Sequence, residues 1–198
     1  KYLNQMREYA EYYSVPIMQE EGLNYILDYI KSNKVLNILE IGTAIGFSAI
    51  NMALCNDNVM VTTIERDRDR YLEAIKNVKK FFLEDRITLI YNDALSVKTK
   101  EKYDLIFIDA AKGQYTNFFN RFKDNLTENG VIITDNIYFH GLVEGNDDIK
   151  NRNLRGLITK IKSYIEFLKS NKEFTTEFLK LGDGIAISKR KKDIIEEI

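Results

Sequence analysis

Two acidic stations close two apolar runs: Asp109 ends Tyr103–Ile108, and the pair Asp135-Asn136 ends Val131–Thr134. If both runs are neighbouring strands of a parallel sheet, their ends fall on one edge and the three oxygen-bearing side chains converge. An oxygen-only donor set suits a hard divalent cation, Mg²⁺, Mn²⁺ or Ca²⁺, rather than zinc. A third run ends in Gly42-Thr43-Ala44-Ile45-Gly46, a glycine turn that opens a helical pattern. Such a turn offers free N–H groups to a nucleotide-type cofactor. The competing expectation is that Asp109 and Asp135 merely cap the turns that follow them.

The glycine spacing narrows the cofactor. G-x-x-x-G lacks the middle glycine that lets a dinucleotide pyrophosphate approach the backbone. Glu40 is expected at the mouth, where a carboxylate repels phosphate and suits a cationic amino-acid group. Glu65 ends the next apolar run about 20 residues on, where an acidic side chain can accept both ribose hydroxyls. Asn92-Asp93-Ala94 ends the run after that, in place for an adenine edge. Adenosine joined to a zwitterionic amino acid is S-adenosylmethionine. Lys112 follows Asp109 closely enough to reach an oxygen on the cation. There its pKa could fall, so that it takes a proton or balances an oxyanion. The alternative is a solvated lysine at a helix start.

These residues need a scaffold that brings strand ends together. Helical spacing marks Tyr2–Tyr13 and Glu20–Ser32, separated by Pro16, the one proline. Val35–Ile41 reads as a strand buried on both faces. Helix Phe47–Leu54, strand Val59–Glu65, helix Asp67–Leu83 and strands Ile87–Tyr91 and Tyr103–Asp109 follow. Helix Tyr115–Leu126 is expected to stop at Asn129-Gly130. Strand Val131–Asp135 and a long helix, Ile149–Ser170, come next. Strands Phe174–Leu181 and Ile185–Lys189 are linked only by Gly182-Asp183-Gly184, which allows a hairpin and forbids a crossover. The expected architecture is α/β: a doubly wound, three-layer Rossmann-like fold on seven strands, mostly parallel, with an antiparallel C-terminal hairpin strand.

The bulk composition agrees. A chain of 198 residues, 44% hydrophobic, fits one domain over 1–198, with a helical cover over 1–33 and a core over 34–198. Lys and Arg total 29 against 30 Asp and Glu, a net charge of −1, so a globally basic nucleic-acid binder is not expected. The one cysteine, Cys55, is expected as a buried structural thiol. No run approaches the roughly 20 apolar residues of a membrane span. No signal-peptide pattern opens the given sequence, and the expected location is cytoplasmic. The sequence begins at Lys1, so whether residues precede it stays open.

The sequence resembles the cation-dependent class I O-methyltransferases of the catechol and caffeoyl-CoA type, from Pro16-Ile17-Met18 through the terminal hairpin. Asp109-Ala110-Ala111-Lys112-Gly113-Gln114-Tyr115 and Asp135-Asn136, followed by Phe139-His140-Gly141, most resemble the bacterial tRNA 5-hydroxyuridine methyltransferases, which form 5-methoxyuridine at the wobble base. The resemblance implies metal ligation by Asp109, Asp135 and Asn136. It implies cofactor contacts from Met18, Glu40, Gly42, Ser48, Glu65, Asp93, Ala94 and Asp109. It places Lys112 on the catalytic lysine of the catechol enzymes, acting beside Asp109. Catechol enzymes carry a tryptophan wall near that lysine, whereas this chain has no Trp. Ala110 and Ala111 leave a wider mouth, favouring an acceptor larger than a catechol.

A tRNA partner needs positive charge near the site. Lys98, Lys100 and Lys102 precede a strand and are expected at the far edge; Arg190, Lys191 and Lys192 follow an antiparallel strand and are expected there too. Ile137–Gly156, with His140, Lys150, Arg152 and Arg155, leaves the catalytic edge and is the best candidate for RNA contact. The alternatives are a small vicinal-oxygen acceptor, a dinucleotide oxidoreductase, and a non-catalytic RNA-binding module. A homodimer is expected, with Tyr2, Tyr9, Tyr12 and Tyr13 covering the cofactor or forming an interface. No membrane partner is expected.

Overall fold

The computed structural model describes residues 1–145 and 149–192. Residues 146–148 of the expected RNA-contact segment, and 193–198 of the expected domain, lie outside the described residues. The elements run α1 (Tyr2–Tyr12), α2 (Glu20–Ser32), β1 (Asn37–Ile41), α3 (Phe47–Leu54), β2 (Met60–Glu65), α4 (Arg68–Lys80), β3 (Ile87–Tyr91), β4 (Tyr103–Ile108), α5 (Tyr115–Phe122), β5 (Leu126–Asp135), α6 (Arg152–Lys169), β6 (Phe174–Leu179) and β7 (Ile185–Arg190). Among the described residues one seven-stranded sheet forms in the order β3-β2-β1-β4-β5-β7-β6. Strands β1 to β5 pair in parallel, and β7 runs antiparallel to both β5 and β6. This is the doubly wound, mostly parallel architecture expected.

Period-two alternation sorts the sheet into its layers. Leu39, Ile41, Ile106, Ile108 and Ile132 pack with Tyr115, Phe119 and Phe122 of α5 and Tyr164 of α6. Ile38, Leu105, Phe107 and Ile133 face the other way, onto Ile26 of α2 and Ile50 of α3. Helix ends are capped where the sequence supplies oxygens. Asp67 accepts from Arg70 N to start α4, and Asn151 accepts from Asn153 N and Leu154 N to start α6.

Several boundaries differ from expectation, each for a local reason. The strand expected from Val35 starts at Asn37, because the Asp104 carboxylate takes the Leu36 and Asn37 N–H groups, both at 3.0 Å. Asn129-Gly130 does not stop α5. The helix ends at Phe122, a 3₁₀ turn over Lys123–Asn125 follows, and Asn125 donates to the Thr99 and Glu101 carbonyls. Asn129-Gly130 instead lies within β5, where the pairing jumps from Tyr103↔Leu126 to Leu105↔Val131. Helix α6 begins at Arg152 rather than Ile149, set by the Asn151 cap. Cys55 is only partly buried, and its Sγ lies 3.9 Å from the Leu27 carbonyl. Of the N-terminal tyrosines, Tyr2 meets Phe81 edge-on, and Tyr2 and Tyr9 line a groove against α4.

No helix among the described residues is long and apolar enough to cross a membrane. Phe119 anchors the α5–α6 layer: it is fully buried, with Tyr164, Phe167 and Phe174 edge-on at 6.5, 5.3 and 5.0 Å. Phe119→Ala should cost about 3–5 kcal/mol, the usual range for emptying an aromatic site. Urea denaturation measures this; a loss below about 1 kcal/mol would mean the layer repacks.

Candidate active site

The strand order reverses between β1 and β4, and a crevice opens beyond the carboxyl ends of strands at such a switch point. There the structure has a cavity of about 350 Å³ whose wall includes Gly42, Ala44, Glu65, Asp93, Ala94, Asp109 and Lys112. That volume falls within the usual range for small-molecule sites. Gly42 (φ +99°) permits the crossing of β1 and β4: a Cβ there would meet the Asp109 carbonyl oxygen at 1.9 Å. The space freed by this glycine is therefore taken by the neighbouring strand end, not left for a ligand.

Glu65 and Asp93 form one polar wall. Glu65 accepts from Ala44 N at 2.8 Å and from Asp67 N at 2.9 Å, one bond per oxygen, so each oxygen keeps a lone pair for a hydroxyl. Asp93 accepts from Leu95 N at 2.8 Å and opens the 3₁₀ turn Ala94–Ser96. Arg66, Arg70, Asn92, Gln114 and Phe118 also line the cavity, and sequence reasoning gave none of them a role there beyond the adenine edge at Asn92.

Met18, Glu40 and Ser48 are not on the cavity wall. Glu40 was expected at the mouth, and the structure corrects this: its side chain points with Ile38 toward the α3 layer and is fully buried. Ser48 and Thr63 hydroxyls donate to its two oxygens, the latter at 2.6 Å, and Thr43 joins Thr63 at 2.6 Å. Burial pushes the Glu40 carboxyl up to about 8 despite those hydrogen bonds. Met18 is buried, its terminal carbon close to Gly22. Glu40 and Ser48 brace the glycine turn from beneath through Thr63 and Thr43, whereas Met18 packs against α2.

Asp109 belongs both to the cavity and to the acidic cluster. Since Ile108 pairs with Thr134, Asp109 and Asp135 end adjacent parallel strands side by side. Asn136 lies between them, its Nδ2 donating to Asp109 Oδ1 at 3.3 Å and to Asp135 Oδ2 at 3.2 Å. Its φ of +59° is left-handed, a conformation asparagine tolerates better than most residues. The Tyr115 hydroxyl donates to the Asp135 carbonyl at 2.8 Å. Burial raises the pKa of Asp109, opposed by Lys112 and Asn136. Burial and the neighbouring Asp109 charge push Asp135 up to about 8.

Among the described residues no three His, Cys, Asp or Glu side chains group to hold a metal, so a cation here would need an amide oxygen as third donor. The Asn136 amide can supply it by turning over, which exchanges its N and O positions. Two crowded carboxylates and one amide fit a hard divalent cation, and leave its other positions for water and a chelating ligand.

Lys112 opens the 3₁₀ turn Lys112–Gln114 on the cavity wall, with Nζ 5.6 Å from the centre of the Phe139 ring. Asp183 was read only as part of a turn. It acts electrostatically on both Asp109 and Asp135, and its Oδ1 lies 3.2 Å from His140 Nδ1. Pairing the hairpin strand β7 beside β5 would have predicted that approach. Lys102 and Arg190 lie at the opposite edge as expected, Lys102 donating to the Asp124 carbonyl and Arg190 to Lys123.

A family model described as O-methyltransferase matches residues 1–191. The caffeoyl-CoA O-methyltransferase of Citrus natsudaidai is 30% identical over 183 residues, 86% of this chain and 78% of that protein. That of Populus kitakamiensis is 27% identical over 186 residues, 89% of this chain and 78% of the relative. A solved structure of caffeoyl-CoA O-methyltransferase type from Staphylococcus aureus superposes with a TM-score of 0.92 at 38% identity, covering 96% of this chain and 93% of that one. The SAH-bound methyltransferase of Podospora anserina shares the fold, with a TM-score of 0.79 at 24% identity over 89% and 80% of the two chains. The chain belongs to the O-methyltransferase family.

Glu40 makes a pH prediction. Its folded pKa is raised, so the native state holds a proton that the unfolded chain releases in the ordinary carboxylate range. Its contribution is intact below that range and is lost as pH climbs toward about 8. The slope approaches about 1.4 kcal/mol per pH unit between the two values. Glu40→Gln keeps an acceptor and removes the titration, so its urea stability should fall less between pH 5 and 8 (roughly the span of those two values) than that of the unsubstituted chain. Parallel profiles would show that Glu40 does not carry this proton.

Proposed function

We propose that this O-methyltransferase uses S-adenosylmethionine and a divalent cation, most naturally Mg²⁺, to methylate 5-hydroxyuridine at the wobble position of tRNA. The observation that carries the reading is the convergence of Asp135 and Asn136 on Asp109, the one of the three that lines the switch-point cavity. S-Adenosylmethionine supplies an electrophilic methyl group on sulfur: the acceptor oxygen forms the new C–O bond as the S–C bond breaks, leaving a thioether. A cation held by Asp109, Asp135 and Asn136 would draw charge from two neighbouring acceptor oxygens and lower the pKa of the hydroxyl.

The chain's own residues do the rest. Glu65 and Asp93 offer acceptors to a ribose and an adenine edge. Lys112, on the same wall, is placed to receive the hydroxyl proton or to offset the oxyanion charge. Catalysis on this reading is mainly positioning and electrostatics.

Three features support an RNA acceptor. Ala110 and Ala111 leave the mouth wide, and the sequence around Asp109 and Asp135 resembles the tRNA enzymes. Arg152 and Arg155 stand exposed on the first turns of α6, which packs on the Lys112–Gln114 turn through Leu157 and Lys160. The second reading, a small acceptor with two neighbouring oxygens, has support from the relatives, which include a flavonoid 3',5'-methyltransferase of Vitis vinifera at 26% identity. The exposed Tyr12 and Tyr13 suit the contact of a homodimer in the cytoplasm; light scattering should give a dimer mass that Tyr12→Ser with Tyr13→Ser reduces to a monomer.

Transfer RNA from cells lacking the modification should gain 5-methoxyuridine, read by mass analysis of nucleosides. EDTA should abolish the product, and Asp135→Ala should slow turnover by more than about 100-fold, beyond what loss of a group merely supporting a ligand costs. Methylation of catechols but not of tRNA would select the second reading. Full activity in EDTA would eliminate cation assistance.

A further inference from the structure

The loop after β5 is clipped onto the β6–β7 turn. Ile137 N donates to Gly184 O at 3.3 Å and Tyr138 N to Asp183 O at 2.9 Å. A Cβ on Gly184 would lie 2.2 Å from the Tyr138 ring, so the two segments touch with no room to spare. The loop then passes through left-handed backbone at Phe139, His140 and Gly141, with φ of 44°, 56° and 78°. The outcome is a defined placement for the chain's one histidine. His140 Nδ1 is 3.2 Å from Asp183 Oδ1, and its ring lies 5.4 Å from that of Phe139, the same ring that Lys112 Nζ approaches. The Asp183 side chain is 12% exposed and that of His140 65% exposed. The pair thus runs from the carboxylate cluster outward to solvent, beside the lysine on the cavity wall.

A carboxylate 3.2 Å from Nδ1 favours the tautomer that carries its proton on that nitrogen, which leaves Nε2 as an acceptor on the opposite edge of the neutral ring. We propose that Asp183 orients His140, and that His140 Nε2 reads the acceptor by accepting a hydrogen bond from the N3–H of a 5-hydroxyuracil ring. This rests on the acceptor reading given above. In that ring the oxygens on C4 and C5 are the neighbouring pair, and N3–H flanks them next to C4. Cytosine has no proton at N3, and a catechol presents C–H at the corresponding edge, so neither can make this bond. Asp183 is a positioning residue, and His140 determines specificity.

The test uses an anticodon stem-loop RNA carrying 5-hydroxyuridine and its N3-methylated counterpart, with the full chain and its His140→Ala, His140→Gln and Asp183→Asn variants. In the unsubstituted enzyme, N3-methylation should raise KM roughly fivefold or more, the scale of one lost hydrogen bond. His140→Ala should show that rise with the unmethylated RNA and no further penalty on N3-methylation. His140→Gln, whose amide oxygen can accept the same bond, should recover part of the loss, and Asp183→Asn should fall between. S-Adenosylhomocysteine affinity by calorimetry and the unfolding temperature should stay unchanged, which a merely structural role would not allow. An equal N3-methyl penalty in His140→Ala, or none in the unsubstituted enzyme, overturns the pair's role. Failure of the unsubstituted enzyme to methylate either RNA overturns the acceptor reading itself.

Discussion

Two carboxylates crowded at the ends of adjacent parallel strands, Asp135 buried and Asp109 partly so, set the central constraint on this protein. Like charges about 4 Å apart repel by about 4 kcal/mol at an effective dielectric near 20. A neutral hydrogen bond contributes only about 1 kcal/mol net. The two bonds from Asn136 to Asp109 and Asp135, at 3.3 and 3.2 Å, are at the long end and cannot offset that repulsion. Protonation relieves it, which is why burial and mutual repulsion push Asp135 up to about 8. A doubly charged cation would relieve it more fully. Much of the surrounding structure serves to keep the pair together: the β4–β5 register, the Tyr115 hydroxyl on the Asp135 carbonyl, and the left-handed turn at Asn136.

The same edge carries both the cavity and the carboxylate cluster because the strand order reverses there. From β1 the chain builds outward through β2 and β3, ending each strand in an acidic residue or turn on the cofactor side. It then returns to β4 and builds the other way, ending in the carboxylate pair. Asp109, on β4 next to Gly42 on β1, is the hinge between the two halves. Any side chain at Gly42 would push these halves apart, so the glycine turn matters as much for the metal-type cluster as for the cavity.

Period-two reasoning made the cluster legible, since apolar runs ending in Asp109 and in Asp135-Asn136 had to share an edge once the sheet was parallel. Glu65 and Asp93 were legible in the same way. Glu40 was not: alternation puts it on one face with Ile38, but in a strand apolar on both faces only the packing shows that this face meets α3. Asn129-Gly130 resembled a helix stop, yet Asn125 had already ended the helix through its bonds to Thr99 and Glu101. Asp183 looked like an ordinary turn residue. Its approach to the cluster depends on β7 pairing with β5 through Asp135↔Ile185, a long-range contact that no local pattern signals.

Catechols and 5-hydroxyuracil both present two adjacent oxygens, so a cation at this cluster would grip either with similar strength. Discrimination must then come from groups around the ring rather than from the cluster. On the cavity side the walls are small, Ala110 and Ala111, and no indole closes the mouth. On the other side stand Phe139 and His140, held in left-handed backbone by the hairpin turn. Backbone in that region persists only where surrounding contacts over-determine it, and here the contacts come from Asp183 and Gly184, the turn whose own charge reaches the carboxylate pair. One turn therefore couples the electrostatics of the cluster to the placement of Phe139 and His140, and on the proposed reading a change in that turn would alter acceptor choice while leaving Asp109, Asp135 and Asn136 in place.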